Sequence, residues 1–149
     1  MKRRAFIAGA SALLPLRIAA QGFRSPSDVS KWIAETTGGK APERADIEIE
    51  LPQIAENGNA VPLRVRVASP MTPQDHVRAI HVFAERNPRP RVAVFHLGPG
   101  SGRAEVTTRV RLGGTQDLTI LAELSGGRWR VASQNVLVTS GACLDEGSL

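Results

Sequence analysis

The chain has 149 residues, a formal charge of +5, one cysteine, no tyrosine and only six phenylalanine and tryptophan residues. That length suits one domain with a core built mainly from Val, Leu, Ile and Ala, and a single cysteine excludes an internal disulfide. Lys2, Arg3, Arg4 and Arg17 lie in the first twenty residues with no acid among them, which leaves 15 basic and 14 acidic residues beyond; the net of +1 does not support a nucleic-acid partner.

Residues 1–20 read as an export signal. Met1-Lys2-Arg3-Arg4 is a charged start, Ala5 to Leu16 is a short apolar stretch, and Ile18-Ala19-Ala20 offers a cleavage site after residue 20, with a second option after residue 22. The apolar part is too short for a membrane span, which needs about 20 residues. Arg3-Arg4 followed by Ala5-Phe6-Ile7 resembles the twin-arginine signal, so the expected destination is the periplasm.

Ser25-Pro26-Ser27-Asp28 reads as a capped helix start, Val29, Trp32 and Ile33 share one helical face, and Gly38-Gly39 stops the element. A short helix over 26–37, with Trp32 packed on the domain, is expected. From Ala45 the period changes to two. Ile47, Ile49 and Leu51 alternate with Glu48 and Glu50; after a turn at 56–59, Val61, Leu63, Val65 and Val67 alternate with Arg64 and Arg66. The glutamates are expected to face the arginines across a strand pair.

A proline-stiffened loop at 69–76 precedes a strand over 77–85, with Ile80 and Val82 on one side and Ala79, His81 and Phe83 on the other. Asn87 to Arg91 is a turn, and 92–97 is a strand. Gly98 to Gly102 is a flexible connection, 104–112 alternates again, Gly113-Gly114 turns the chain, and 117–124 carries Leu118, Ile120, Ala122 and Leu124 inward. Trp129, Val131, Val136 and Val138 mark a last strand or strand pair, with a bulge expected near Ala132-Ser133-Gln134. Seven or so short strands joined by Gly/Pro turns predict an all-β, immunoglobulin-like antiparallel sandwich over 25–138, with residues 139–149 as a flexible tail.

The tail holds Cys143. In an oxidising compartment a lone cysteine points to an intermolecular bond, a covalent adduct or a free reactive thiol, with a buried inert residue as the plain alternative. Asp145, Glu146, Gly147 and Ser148 supply no apolar strand to bury it. His76, His81 and His96 lack metal-binding spacing, so neither a metal nor another cofactor is expected, and a catalytic Cys–His pair would need a fixed base that a tail does not provide. Gly98 to Gly102 has no lysine and opens no helix, so it is not a phosphate loop. Arg86, Arg89 and Arg91 form a solvated rim or greet an acidic partner or oxyanion.

Several blocks resemble the sulfur-oxidation carrier family SoxY: Gly58 to Pro62, Ser69 to Thr72, Ile80 to Pro90 with its Phe83-Ala84-Glu85-Arg86-Asn87-Pro88 core, Val94 to Leu97, Ser101 to Leu112, and Ser140-Gly141-Ala142-Cys143. The resemblance implies a periplasmic carrier, not an enzyme, with an immunoglobulin-like sandwich that pairs with a smaller sandwich protein, SoxZ. It implies a terminal cysteine on a swinging arm, so that Cys143 would be the covalent attachment point and Ser140, Gly141 and Ala142 would give the arm its flexibility. A haem enzyme, SoxXA, would conjugate thiosulfate to the thiol; SoxB would release sulfate; a sulfane dehydrogenase would process what remains.

The tip departs from that family's pattern of two glycines, cysteine and two glycines. Gly141-Ala142 precede Cys143, and Leu144-Asp145-Glu146-Gly147-Ser148-Leu149 follow it. Negative charge beside the sulfur opposes thiolate formation and an anionic adduct. Three readings therefore stand: a working sulfur carrier, a divergent paralogue with the same sandwich and another cargo or none, and a periplasmic binding or assembly module.

Overall fold

The computed structural model describes residues 27–45 and 47–142. The expected signal segment, the expected Ser25 cap, Pro26 and Cys143 with its following residues lie outside them. Helix α1 (Ser27–Thr37) is followed by nine strands: β1 (Glu43–Arg44), β2 (Ile47–Glu50), β3 (Ile54–Ala55), β4 (Val61–Val67), β5 (Val77–Ala84), β6 (Arg91–His96), β7 (Glu105–Val110), β8 (Gln116–Leu124) and β9 (Trp129–Val138). They form a sandwich of immunoglobulin-like type. One layer has the order β1-β9-β8-β5-β6, with β3 also on β9; the other is β2-β4-β7. The long pairings are antiparallel, as expected, but the two-residue strands β1 and β3 run parallel to β9.

The core between the layers is built by strand alternation. Val61, Leu63, Val65 and Val67 of β4 meet Ile80 and Val82 of β5, Leu118, Ile120, Ala122 and Leu124 of β8, and Val136 and Val138 of β9. The solvent face of the small layer carries the expected charge ladder. Glu48 pairs in register with Arg66 and Glu50 with Arg64; each ion pair measures 3.2 Å. Glu105 on β7 joins both arginines, at 2.7 Å from Arg64 and 3.1 Å from Arg66. Its hydrogen bonds from Arg64 and then Arg66 hold its carboxyl below the ordinary range, and the same pairing raises Arg64.

β5 and β8 are buried on both faces because α1 covers the outer side of the large layer. Phe83, Leu121 and Trp129 form a second cluster there with Val29, Trp32 and Ile33. Trp32 thus packs on the domain, as its helical face predicts. The helix ends where Gly38 and Gly39 turn to positive φ, 63° and 82°, and the Gly39 amide donates to the Ala34 carbonyl at 2.8 Å, a Schellman-type closure.

β9 corrects one expectation. It runs unbroken from Trp129 to Val138, and its register with β8 shows no bulge at Ala132–Gln134. The polar run stays in the ladder because its side chains find partners. Ser133 Oγ lies 2.9 Å from Thr119 Oγ1, Gln134 Nε2 donates to the Leu51 carbonyl at 3.1 Å, and Asn135 Nδ2 donates to Asp117 Oδ1 at 2.7 Å. The register shifts fall in β5 instead, at Val77/Ala79 against β8 and at Val82/Phe83 against β6.

Candidate functional site: the root of the C-terminal segment

β9 delivers the chain to one end of the sandwich, and the residues after it are bound there. The Thr139 amide donates to the Ala55 carbonyl at 3.0 Å, and its hydroxyl donates to the Glu56 carbonyl at 3.1 Å. Three further backbone bonds link segments distant in sequence. The Gly58 amide donates to the Ser140 carbonyl at 2.8 Å, the Leu112 amide to the Gly58 carbonyl at 2.8 Å, and the Ala142 amide to the Leu112 carbonyl at 3.0 Å. Ala142 is buried, at 8% exposure.

Glycine is required at two points of this junction. A Cβ on Gly58 would collide with the Leu112 carbonyl oxygen and stand 2.8 Å from the Ala142 nitrogen; one on Gly141 would stand 2.5 Å from the Gly113 carbonyl oxygen. Contacts that short force a shift of backbone. Ser140, Gly141 and Ala142, expected to supply arm flexibility, are therefore held against the domain by main-chain bonds and close packing. Cys143 begins one peptide bond beyond Ala142.

The receiving turn is itself braced. Asn87 Nδ2 donates to the Arg111 carbonyl at 2.8 Å, while Asn87 Oδ1 accepts from the Gly113 amide at 3.0 Å and from Gln116 Nε2 at 3.2 Å. Gln116, 2% exposed, also donates to the Gly114 carbonyl at 3.1 Å and accepts from the Arg86 amide at 2.9 Å. The sequence placed Asn87 and Gly113-Gly114 in turns but did not connect them to residues 140–142. The available signal was Gln116, a polar residue at the head of an apolar strand.

The other candidates lie apart. His76 sits in the loop before β5, its Nδ1 3.1 Å from the Thr72 carbonyl. His81 is buried on the outer face of the large layer, against Phe83 and Trp129, and His96 is exposed at the end of β6. Among the described residues no group of three or more His, Cys, Asp or Glu is placed to hold a metal, and no helix is long and apolar enough to cross a membrane. Of the three rim arginines, Arg91 is committed to the fold. Its guanidinium carbon lies 5.7 Å from the Trp32 ring centroid, and its Nη2 donates to Thr36 Oγ1 at 3.3 Å.

The fold and this junction define a small immunoglobulin-like domain whose chain end is carried to a docked platform one residue before its sole cysteine. The model of the family "Sulfur oxidation protein SoxY" matches residues 33–143, a stretch that ends on that cysteine. Among solved structures, the sulfur carrier protein SoxY from Chlorobium limicola f thiosulfatophilum aligns at 33% identity and a TM-score of 0.63, covering 77% of this chain and 99% of that one. Superoxide reductases share the fold alone. The neelaredoxin from Ignicoccus hospitalis aligns at 20% identity and TM-score 0.57 over 70% of this chain and 91% of that one, and the enzyme from Nanoarchaeum equitans at 12% and 0.54 over 64% and 100%. No curated protein matches. The chain belongs to the SoxY family. It is a sulfur-carrier protein and not itself a catalyst, and its family works with Sox-system partners such as SoxZ.

Proposed function

We propose that this protein holds sulfur-oxidation intermediates covalently on Cys143 and presents them to partner enzymes in the periplasm. The observation that supports this most directly is the family match running through to residue 143, with Ser140, Gly141 and Ala142 bound at one end of the sandwich just before it. In the first step the Cys143 thiol loses its proton and forms an S–S bond with thiosulfate, giving an S-thiosulfonate. Two electrons leave in that step, passing one at a time through the haem of a SoxXA-like enzyme to a downstream electron acceptor. A SoxB-like hydrolase then adds water across the terminal S–S bond, releasing sulfate and two protons and leaving a persulfide. A sulfane-dehydrogenase-like enzyme takes the remaining sulfur. The protein itself supplies a nucleophilic sulfur and a place to hold it.

The same reading assigns residues 1–20 to a twin-arginine signal, residues 25–138 to the sandwich and a SoxZ-like sandwich protein to a heterodimer. The divergent paralogue is retained as a second reading because Leu144, Asp145 and Glu146 stand where the family pattern has glycines.

The test is intact mass of the mature protein, taken from its own periplasm during growth on a reduced sulfur compound, before and after reductant. A reductant-labile adduct with the mass of a thiosulfonate or persulfide, mapped to Cys143 and absent in Cys143→Ala, is the expected result. A clean thiol under those conditions would favour the paralogue with another cargo.

A further inference from the structure

We propose that α1 is an acid-released cover: protonation of His81 lifts the helix off the outer face of the large layer while the sandwich beneath it stays folded. The significance of this device rests on the carrier reading; its geometry does not.

The seat of α1 is apolar. Val29 is buried with Phe83, Leu121 and Trp129, and Trp32 and Ile33 pack against the same cluster. Two cations tie the far end of the helix down. Arg91 of β6 stands over the Trp32 ring and donates to Thr36 Oγ1, and Lys40 Nζ donates to the Gly127 carbonyl at 3.3 Å. The helix meets the sandwich through Gly38 and Gly39, both at positive φ. Residues without a Cβ therefore lie where the cover would turn.

Among the described residues His81 is the only buried side chain that titrates. Its ring packs on Phe83 and Trp129, two members of the seat, and neither ring nitrogen has a partner there. Leu121 of β8 and Val94 of β6 lie opposite it in register. The charged groups around it offer no counter-ion that is free. β6 supplies Arg91 and His96; β8 supplies Glu123, whose carboxylate is already paired with Arg78 of β5 at 3.2 Å. β9 supplies Trp129, while its Arg130 donates to the Ala68 carbonyl at 2.8 Å. α1 brings Val29, Trp32 and Ile33, its Lys31 and Glu35 being exposed.

A proton on this ring would create a buried N–H without an acceptor and a second cation near Arg91, which is strongly unfavourable. Lifting α1 relieves both faults. Water reaches the imidazolium, and Arg91, released from Trp32 and Thr36, can turn away into solvent. Burial, and then Arg91, hold the His81 pKa below its ordinary value, so the closed form binds the proton less tightly than the open one. Closure is fully favoured above the open-form value, about 6.5, and weakens as pH falls toward the closed-form value. In the proposed cycle the hydrolytic step releases protons with its sulfate, so the cover responds to acidity that this chemistry creates.

The chain has two tryptophans, Trp32 on α1 and Trp129 beneath it, so intrinsic fluorescence reads this seat alone. The full mature chain is titrated reversibly from pH 8 to 4.5, recording emission and acrylamide quenching, with amide hydrogen exchange followed in α1, β5 and β8. Below about pH 6.5 emission should move to the red, quenching should rise several-fold, and α1 amides, corrected for intrinsic exchange, should lose protection at least tenfold while β5 and β8 keep theirs. His81→Leu should abolish the transition; His76→Gln and His96→Gln should retain it. Should His81→Leu fail to fold, His81→Phe, which keeps an aromatic ring beside Phe83 and Trp129, decides. No transition in the native protein, a transition that survives loss of His81, or a fluorescence change with α1 amides still protected would overturn the proposal. Simultaneous loss of protection in β5 and β8 would do the same. Absence of any adduct on Cys143 would defeat the carrier reading while leaving this titration intact, so the two failures are distinguishable.

Discussion

Replacing His81 with leucine should stabilise the protein and remove part of its acid sensitivity. His81 lies on the outer face of β5 at 9% exposure. Its ring stacks on Phe83, with centroids 6.3 Å apart and planes at 12°, and tilts against Trp129 at 5.8 Å. Neither ring nitrogen has a hydrogen-bond partner among the described residues. A buried polar group left without a partner costs about 1–3 kcal/mol, whereas the lost aromatic contacts are worth about 0.5–1.5 kcal/mol. The balance favours His81→Leu by about 1 kcal/mol at neutral pH, which for a domain of this size is about 4 °C in melting temperature.

Burial, and then Arg91 of β6, push the His81 pKa below its ordinary value; His96 of β6 adds to the shift, and Glu123 of β8 opposes it. The folded protein therefore keeps the ring neutral where the unfolded chain, with a pKa of about 6.5, already takes a proton. Stability is complete above that pH and falls as pH drops from it toward the folded value. Urea denaturation of both proteins at pH 8, 7, 6 and 5 checks the argument. The variant should be more stable throughout and should lose the slope between pH 7 and 5. A variant less stable at pH 8, with that slope unchanged, would refute the idea that the ring nitrogens are unsatisfied.

Gly58→Ala should destabilise the fold by about 1–3 kcal/mol, because the new methyl group meets backbone on two sides; Gly100→Ala, which meets nothing, is the matched control in the same denaturation experiment. Glu105→Gln acts on the charged face. Because pairing with Arg64 and Arg66 depresses the Glu105 pKa, its contribution is present above the unfolded carboxyl value, about 4.3, and is lost as pH falls through the lower folded value. The variant should show a shallower acid limb below that pH and a weaker dependence on salt, both read from melting curves across pH 2–6 and up to 1 M NaCl; identical curves would mean the ladder is fully screened.

The elements were legible where one face of a strand is wet. Glu48, Glu50, Arg64 and Arg66 alternate with apolar residues, and that alternation specifies both the inner face and the cross-strand pairing now seen at 3.2 Å. Legibility failed at Ala132–Gln134, where polar residues suggested an interruption. The ladder survives there because partners as remote as Thr119 and Leu51 satisfy those side chains, and nothing local announces such partners. β1 and β3 were missed as separate strands for a similar reason: two residues carry no period, and each exists only because β9 offers a parallel edge. At the candidate site, Cys143 was identifiable as the sole thiol near the chain end, but the docking of Ser140, Gly141 and Ala142 was not.

By itself the sequence determined the class of the fold, the start of the charge ladder, the helix with Trp32 on its inner face and the single thiol, Cys143. These are consequences of local period, turn chemistry and residue count, which act between near neighbours. Only the tertiary structure decided that β5 and β8 are buried on both faces, that the His81 ring nitrogens lack hydrogen-bond partners among the described residues and that residues 140–142 are gripped by Gly58, Leu112 and Gly113. Each of these depends on backbone groups brought together from distant segments, where a hydrogen bond or a missing Cβ has meaning only after the sandwich has closed.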